Sequence, residues 1–412
     1  MTSSLSCKQF PGVPMQPSLT EKQNTVTNPA LAKNPAKRVL ALDVVRGITI
    51  AFMIMVNNNG GPGSWGFMNH ANWNGLTPTD LVFPTFVFVV GVSVVFAFHA
   101  RIAKGDSRAK LAKHTVIRAI VLILFGIIVN SFPFFETPHM RFYGVLQRIA
   151  VCYLVVGLFY LWDQRASTKW IALATCLIGY WILVRWVPIP GVGVPGRDVP
   201  FMDMTQNLVS WIDRAIFPHH LYLYSPDHNV RDPEGLLSDL PAIGTALMGI
   251  LTGIFLRSAR SVSTKTAGLA IASLSSLAIG YLWSLEFPLN KNMWTSSFVL
   301  VAGGYSLALL TVVYFAVEQM GWRKGWTWPW LVFGSNAIAA YMFSELTPGI
   351  LYNLTVSNGS GQRTPFIVSF VTHTFAHIPN PHWAAFAYSV SFTTFCFIPV
   401  WILYRRKIFL KV

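Results

Sequence analysis

The 412-residue sequence is 53% hydrophobic and only 11% charged, with 30 Phe and 15 Trp; an ordinary soluble domain carries roughly 25% charge. That composition excludes a soluble globular enzyme, and apolar runs of roughly 20 residues recur, the length that crosses a hydrocarbon core. The net charge of +15 would suit nucleic acid, but Lys and Arg gather in short segments between apolar runs, a membrane-topology pattern, so no nucleic-acid partner is expected.

Strand-like alternation is absent, so helices must satisfy the backbone inside the lipid bilayer, and the fold class is an all-α polytopic membrane protein. Residues 1–38 are rich in Ser, Thr, Pro, Asn and Lys without an apolar signal core; they read as a disordered cytoplasmic tail. Cys7, Cys152, Cys176 and Cys396 show no paired spacing, which implies neither a disulfide framework nor a zinc site.

The first span is expected at 39–56, where Asp43 and Arg46 stand three apart and can pair on a helix. A polar, Gly- and Asn-rich loop follows. It holds Asn57, Asn58, Asn59, Trp65, His70 and Trp73 and no Lys or Arg. As a simple connector it would place its Trp side chains at headgroup level. The second span opens at T-P-T-D, with Thr77 suited to the N-cap, Pro78 to N1 and Asp80 to a capping box. Asp80 therefore reads as a cap more than a catalyst. A connector with Arg101, Lys104, Arg108, Lys110, Lys113 and Arg118 marks the cytoplasmic side.

Further spans are expected at 116–132, 144–162, 170–187, 240–255 and 267–287, then to 317, at 328–346, and before Arg405. Arg148 falls within membrane depth, where a charge faces a partner or a cavity. The longest outer segment, 188–239, carries His219, His220, Asp227, His228, Asp232 and Glu234. Its length suits recognition of a substrate, and the absence of H-x-x-x-H or H-E-x-x-H spacing argues against a metal. Gly334, Ser335 and Asn336 break the ninth span. The apolar stretch 367–375 is too short to cross. Treating it as an outer or re-entrant piece gives ten spans with both termini cytoplasmic. No repeated halves are evident, which weakens a transporter reading, and no clear G-x-x-x-G face argues for the homodimer such a protein could form.

A-L-D-V-V-R-G followed by N-H-A-N-W-N-G-L-T-P-T-D-L-V-F-P-T-F-V-F resembles the heparan-α-glucosaminide N-acetyltransferase family. G-V-L-Q-R-I-A, D-P-E-G-L-L, N-K-N-M-W and G-S-N-A-I are similar to its later motifs, in the same order, so the resemblance covers residues 38–408. Lysosomal members carry a luminal domain and one more helix ahead of this core, so the resemblance implies a bacterial relative in the inner membrane. It further implies transfer of acetyl from cytoplasmic acetyl-CoA, a co-substrate, to a glucosamine-type amine on the periplasmic face. The family's essential histidine falls on His70, and its essential asparagine falls among Asn57, Asn58 and Asn59.

Acetyl transfer to an amine needs a proton acceptor and donors for the thioester oxyanion. A neutral imidazole accepts protons at physiological pH, and an Asn amide can hold an oxyanion, worth roughly 3 to 4 kcal/mol in other enzymes. His70 could equally carry the acetyl group covalently. Trp73, Asp232, Glu234 and Lys291 are candidates to bind the amino-sugar acceptor. Arg148, Asn336 and Arg46 are candidates to line the acetyl-CoA passage. The rivals are an O-acyltransferase of another glycan and an amino-sugar transporter without chemistry.

Overall fold

The computed structural model describes residues 39–61, 63–136, 138, 140–222, 231–357 and 363–410. The tail at 1–38, with Cys7, and also His139, Asp227 and His228, lie outside them.

The order is α1 (Leu40–Asn57), α2 (Val82–Ala103), α3 (Arg108–Ser131), α4 (Val145–Trp162), α5 (Ala166–Trp186), α6 (Leu208–Ile216), α7 (Asp239–Arg257), α8 (Val262–Trp283) and α9 (Ser296–Tyr314). Then come α10 (Trp328–Ser335), α11 (Ala337–Asn353), a hairpin of β1 (Thr355–Ser357) and β2 (Arg363–Pro365), α12 (Phe366–Phe375) and α13 (Pro381–Arg405). The chain is an all-α polytopic membrane protein. Among the described residues nine helices are long and apolar enough to cross a membrane, one fewer than expected. The missing span is split: α10 and α11 meet at Asn336, whose φ of −132° and ψ of 43° leave the helical region.

One further boundary departs from expectation, and one short helix agrees with it. α3 begins at Arg108, eight residues before the expected 116, because Ser107 accepts from the Lys110 N–H and caps a first turn of good helix formers. At ten residues, α12 spans about 15 Å, so it does not cross.

Burial separates an inner set of helices from an outer one. In α1, α2, α4, α7 and α9, 61–78% of the apolar stretch is buried within the protein, against 22–33% in α3, α5, α8 and α13. The outer helices turn Ile120, Leu124, Ile178, Leu274 and Phe395 outward, as lipid-facing helices do. At the centre α2 and α7 approach closely. A Cβ on Gly91 would stand 2.1 Å from the Ala246 carbonyl oxygen, and one on Gly249 would stand 2.1 Å from that of Phe88. Gly249 and Gly253 form the G-x-x-x-G spacing that sequence reading overlooked, and it faces α2 of the same chain rather than a second copy.

Contacts between connections fix which helix ends lie together. At one end, Arg257 at the close of α7 donates to the Tyr160 hydroxyl of α4 (3.4 Å), and the Ala41 N–H of α1 donates to Glu318 beyond α9 (3.2 Å). The basic connections follow those helix ends. At the other end the described parts of the 58–81, 132–144, 187–238 and 284–295 connections meet, through Asn74 and Asn290, Trp73 and Met202, and Arg141 and Asp232.

Candidate functional site

The 58–81 loop is folded by its own asparagines. Asn69 Oδ1 accepts from Asn59 Nδ2 (2.7 Å) and from the Ser64 hydroxyl (3.0 Å), and its Nδ2 donates to the Trp65 carbonyl (3.1 Å). The Thr77 hydroxyl lies 2.8 Å from the Asn69 carbonyl, and that of Thr79 donates to Phe67 O (2.8 Å). These bonds bend the loop back over the start of α2 and bring His70 to Asp80. His70 Nδ1 lies 2.7 Å from Asp80 Oδ1. Asp80 Oδ2 meanwhile accepts from the Thr77 N–H (3.0 Å) and the Ala71 N–H (3.1 Å). The expected cap is present, and Asp80 also binds the histidine, a contact that the cap alone does not require. The Asp80 side chain is 1% exposed and the His70 side chain 48%: a buried anion orients an accessible ring.

Lys291 comes from far along the chain. Its Nζ lies 3.1 Å from His70 Nε2 and 3.2 Å from Nδ1. The turn that carries it is tied to the His70 loop, for Asn290 Nδ2 donates to Asn74 Oδ1 (3.1 Å) and the Gly75 N–H donates to Leu289 O (2.8 Å). Gly75 has a φ of +125°, which a side chain would resist. Burial drives the Lys291 amine below its usual pKa, against the pull of Glu234 and Asp80 and with help from Arg148.

A second polar cluster adjoins this one. Arg141 grips Asp232 with two hydrogen bonds, Nε to Oδ2 at 2.8 Å and Nη2 to Oδ1 at 2.6 Å, and also donates to Glu234 Oε2. Burial opposes its charge, but the two carboxylates outweigh it and raise the Arg141 pKa. Burial pushes Glu234 up, and the charges of Arg141, Arg148 and Lys291 overcome it, leaving the carboxyl below its usual range. Arg148 donates to Asp239 Oδ1 (2.8 Å), to the carbonyls of Pro233 (3.2 Å) and Gly235 (3.0 Å), and to the Ser238 hydroxyl, and it lies over the Trp294 ring at 4.9 Å. Two arginines thus shape the D-P-E-G segment. Asp232 has both oxygens on Arg141, and its Oδ1 also accepts from the Glu234 N–H (2.9 Å). Asp213 of α6, fully buried, accepts from the Leu236 N–H (2.9 Å), and burial pushes its carboxyl up to about 7.

The remaining expected residues divide. Of the three asparagines, Asn58 caps α1 through Ile54 O (3.2 Å) and Asn59 braces the loop. Asn57 is exposed and donates to Glu345 Oε1 of α11 (2.9 Å). Tyr341 stands one turn before Glu345 on α11. It also lines, with Ile50, Met53, Phe86, Ile149 and Ile338, a small apolar cavity of about 20 Å³. Trp73 donates to Met202 O (2.8 Å) and lies under Arg231 at 4.8 Å, which fixes it against the long outer segment.

Of the three candidates for an acetyl-CoA passage, Arg46 and Asn336 meet the same helix break, for Arg46 donates to Gly334 O (3.4 Å), whereas Arg148 is engaged by the D-P-E-G segment. Arg148 is buried and occupied by the D-P-E-G segment. Arg46 pairs with Asp43 (3.0 Å) as expected and also donates to Ser93 (2.7 Å). Asn336 donates to Ile408 O (3.1 Å) and accepts from the Leu410 N–H (2.9 Å), pinning the segment after α13 to the break in its own span. Sequence reading passed over Asn69, Arg141 as a carboxylate clamp, and Glu345. The last had a signal, an acid in an apolar helix.

Residues 38–209 match the family model described as heparan-alpha-glucosaminide N-acetyltransferase, catalytic. The mouse protein named heparan-alpha-glucosaminide N-acetyltransferase is 26% identical over 444 residues, and the human protein of that name is 28% identical over 445. The resemblance to that family spans 96% of the chain. The chain in turn spans 64% of the mouse relative and 63% of the human one. The family match covers α1 to α5 and takes in the His70 loop, Asp80, Arg141 and Arg148, whereas Glu234, Lys291 and Glu345 lie beyond it.

Proposed function

We propose that this chain is a membrane N-acetyltransferase that moves acetyl from acetyl-CoA to the amine of a glucosamine-type sugar. The single observation that carries the reading is the His70–Asp80 pair inside a segment that matches a catalytic family model. Asp80 accepts the Nδ1 proton of His70, which leaves Nε2 as the acceptor. Nε2 then takes a proton from the incoming ammonium, the amine attacks the thioester carbonyl, and the proton passes to the leaving thiolate. A positioned base of this kind is worth roughly 10²- to 10⁴-fold.

Glu234, held ionised by its cationic neighbours, supplies attraction for the acceptor ammonium. Asn57, the exposed amide of its triplet, is the donor we assign to the thioester oxygen. By the charge rule the basic end is cytoplasmic and the site opens on the far side, which in a bacterial inner membrane is the periplasm.

The test is acetylation of glucosamine by the purified protein with acetyl-CoA. Activity should appear in the wild type and fall at least about 100-fold in His70→Ala. Retained activity in that variant removes His70 from the mechanism. No turnover in the wild type removes the enzyme reading itself.

A further inference from the structure

Lys291 Nζ is a primary amine within hydrogen-bond distance of the nitrogens of His70. Asp80 occupies Nδ1, which leaves Nε2 as the free base of the ring, and Lys291 Nζ lies against the ring almost equidistant from the two nitrogens. Two carboxylates, Asp80 and Glu234, attract the lysine charge. A protonated amino sugar would need the same surroundings: a base at Nε2 and anions to hold the ammonium. Lysine and glucosamine present one functional group here, and the protein already supplies it.

We propose that Lys291 fills the acceptor-amine position of the empty site and, when an acetyl thioester is bound without a sugar, takes the acetyl group itself. This rests on the acetyltransferase reading above. The neutral Nζ attacks the thioester carbonyl carbon. An N–C bond forms and the C–S bond breaks, its electron pair leaving on sulfur. The proton lost from nitrogen passes to His70 Nε2 and then to the thiolate, so the products are Nε-acetyl-Lys291 and the free thiol of CoA.

The lowered pKa of Lys291 supplies neutral amine at a lower pH than a solvated lysine would. An amide does not pass its acetyl group on as an acyl-imidazole would. The acetylated side chain is uncharged, no longer drawn to Asp80 and Glu234, and stays in the acceptor position. Acetylation therefore switches the site off, and a bound acceptor protects it by displacing the lysine.

The experiment incubates the purified full chain with acetyl-labelled acetyl-CoA and no acceptor, strips acyl-imidazole and thioester label with hydroxylamine, and maps what remains by peptide mass spectrometry. The expected result is a hydroxylamine-stable acetyl group concentrated on Lys291, absent in His70→Ala and in Lys291→Arg, and suppressed when glucosamine is present. Label spread evenly over exposed lysines, or present to the same extent on Lys291 in His70→Ala, overturns the proposal. Glucosamine turnover measured in the same preparation separates the two readings. Turnover without label on Lys291 sinks only this inference, whereas neither turnover nor label sinks both.

Discussion

Asp80 divides its carboxylate between two tasks: Oδ1 lies 2.7 Å from Nδ1 of His70, and Oδ2 accepts from the N–H of Thr77, 3.0 Å away. One buried anion therefore starts a membrane helix and sets the tautomer of an exposed imidazole. Asp80→Asn keeps a side-chain oxygen for the helix start but removes the charge that stabilises an imidazolium. We expect this variant to fold, with its thermal transition close to the wild type, and to lose about 100-fold or more in kcat for glucosamine acetylation. A variant as active as the wild type would leave Asp80 as a cap alone.

The asparagine triplet separates in the same way. Asn59 Nδ2 binds Asn69 Oδ1 at 2.7 Å inside the loop, so Asn59→Ala should cost about 1 kcal/mol of stability, seen as a lower unfolding midpoint in detergent. Asn57→Ala removes an exposed amide and should instead lower kcat with little change in that midpoint. The reverse pattern would move the functional role to Asn59.

Arg141 is the cation bound to both oxygens of Asp232, whose Oδ1 also accepts from the Glu234 N–H (2.9 Å), and it binds the Glu234 carboxylate as well. Arg141→Ala leaves two buried carboxylates without their cation, a loss of about 3–5 kcal/mol. The variant should express poorly or unfold early. Asp232→Asn combined with Arg141→Ala should recover part of that loss, which a double-mutant comparison of unfolding midpoints measures.

Asp213 gives a pH signature. Its carboxyl is raised from 3.8 to about 7, chiefly by burial, so the folded protein favours the protonated form. Its contribution is complete below the unfolded value and declines as pH rises toward 7, by about 1.4 kcal/mol for each pH unit. Above that it stays lost. Asp213→Asn should match the wild type near pH 4 and be more stable at pH 8, with a flatter profile between. Parallel profiles for the two proteins would refute the assignment.

Much of the architecture was legible because hydrophobic length is a local property. α1, α4 and α5 lie within a few residues of their expected spans, and G-S-N marked the break between α10 and α11. α3 was placed too late because its first two turns are basic, and an apolar window starts only where the charges stop. The site was half legible. Asp80 as a cap could be read because its partner Thr77 is three residues away. Its hold on His70 depends on a loop folded by Asn69, and the approach of Lys291 depends on the packing of the whole bundle, which no periodicity records. Gly249 and Gly253 had a readable spacing, but only the structure tells whether such a face meets its own chain or another.

The hydrogen bond between Lys291 and His70 joins residues 221 positions apart. His70 is made with the first two helices, and Lys291 follows only after α8. At about 5–20 residues per second, the ribosome needs about 10 to 45 s to bridge that interval. During it, α1 and α2 are already available for insertion and the histidine waits without its lysine. The contact thus cannot form until most of the crossings are made, and a ribosome that stalls before residue 291 leaves a membrane-embedded fragment with the histidine loop and no lysine beside it.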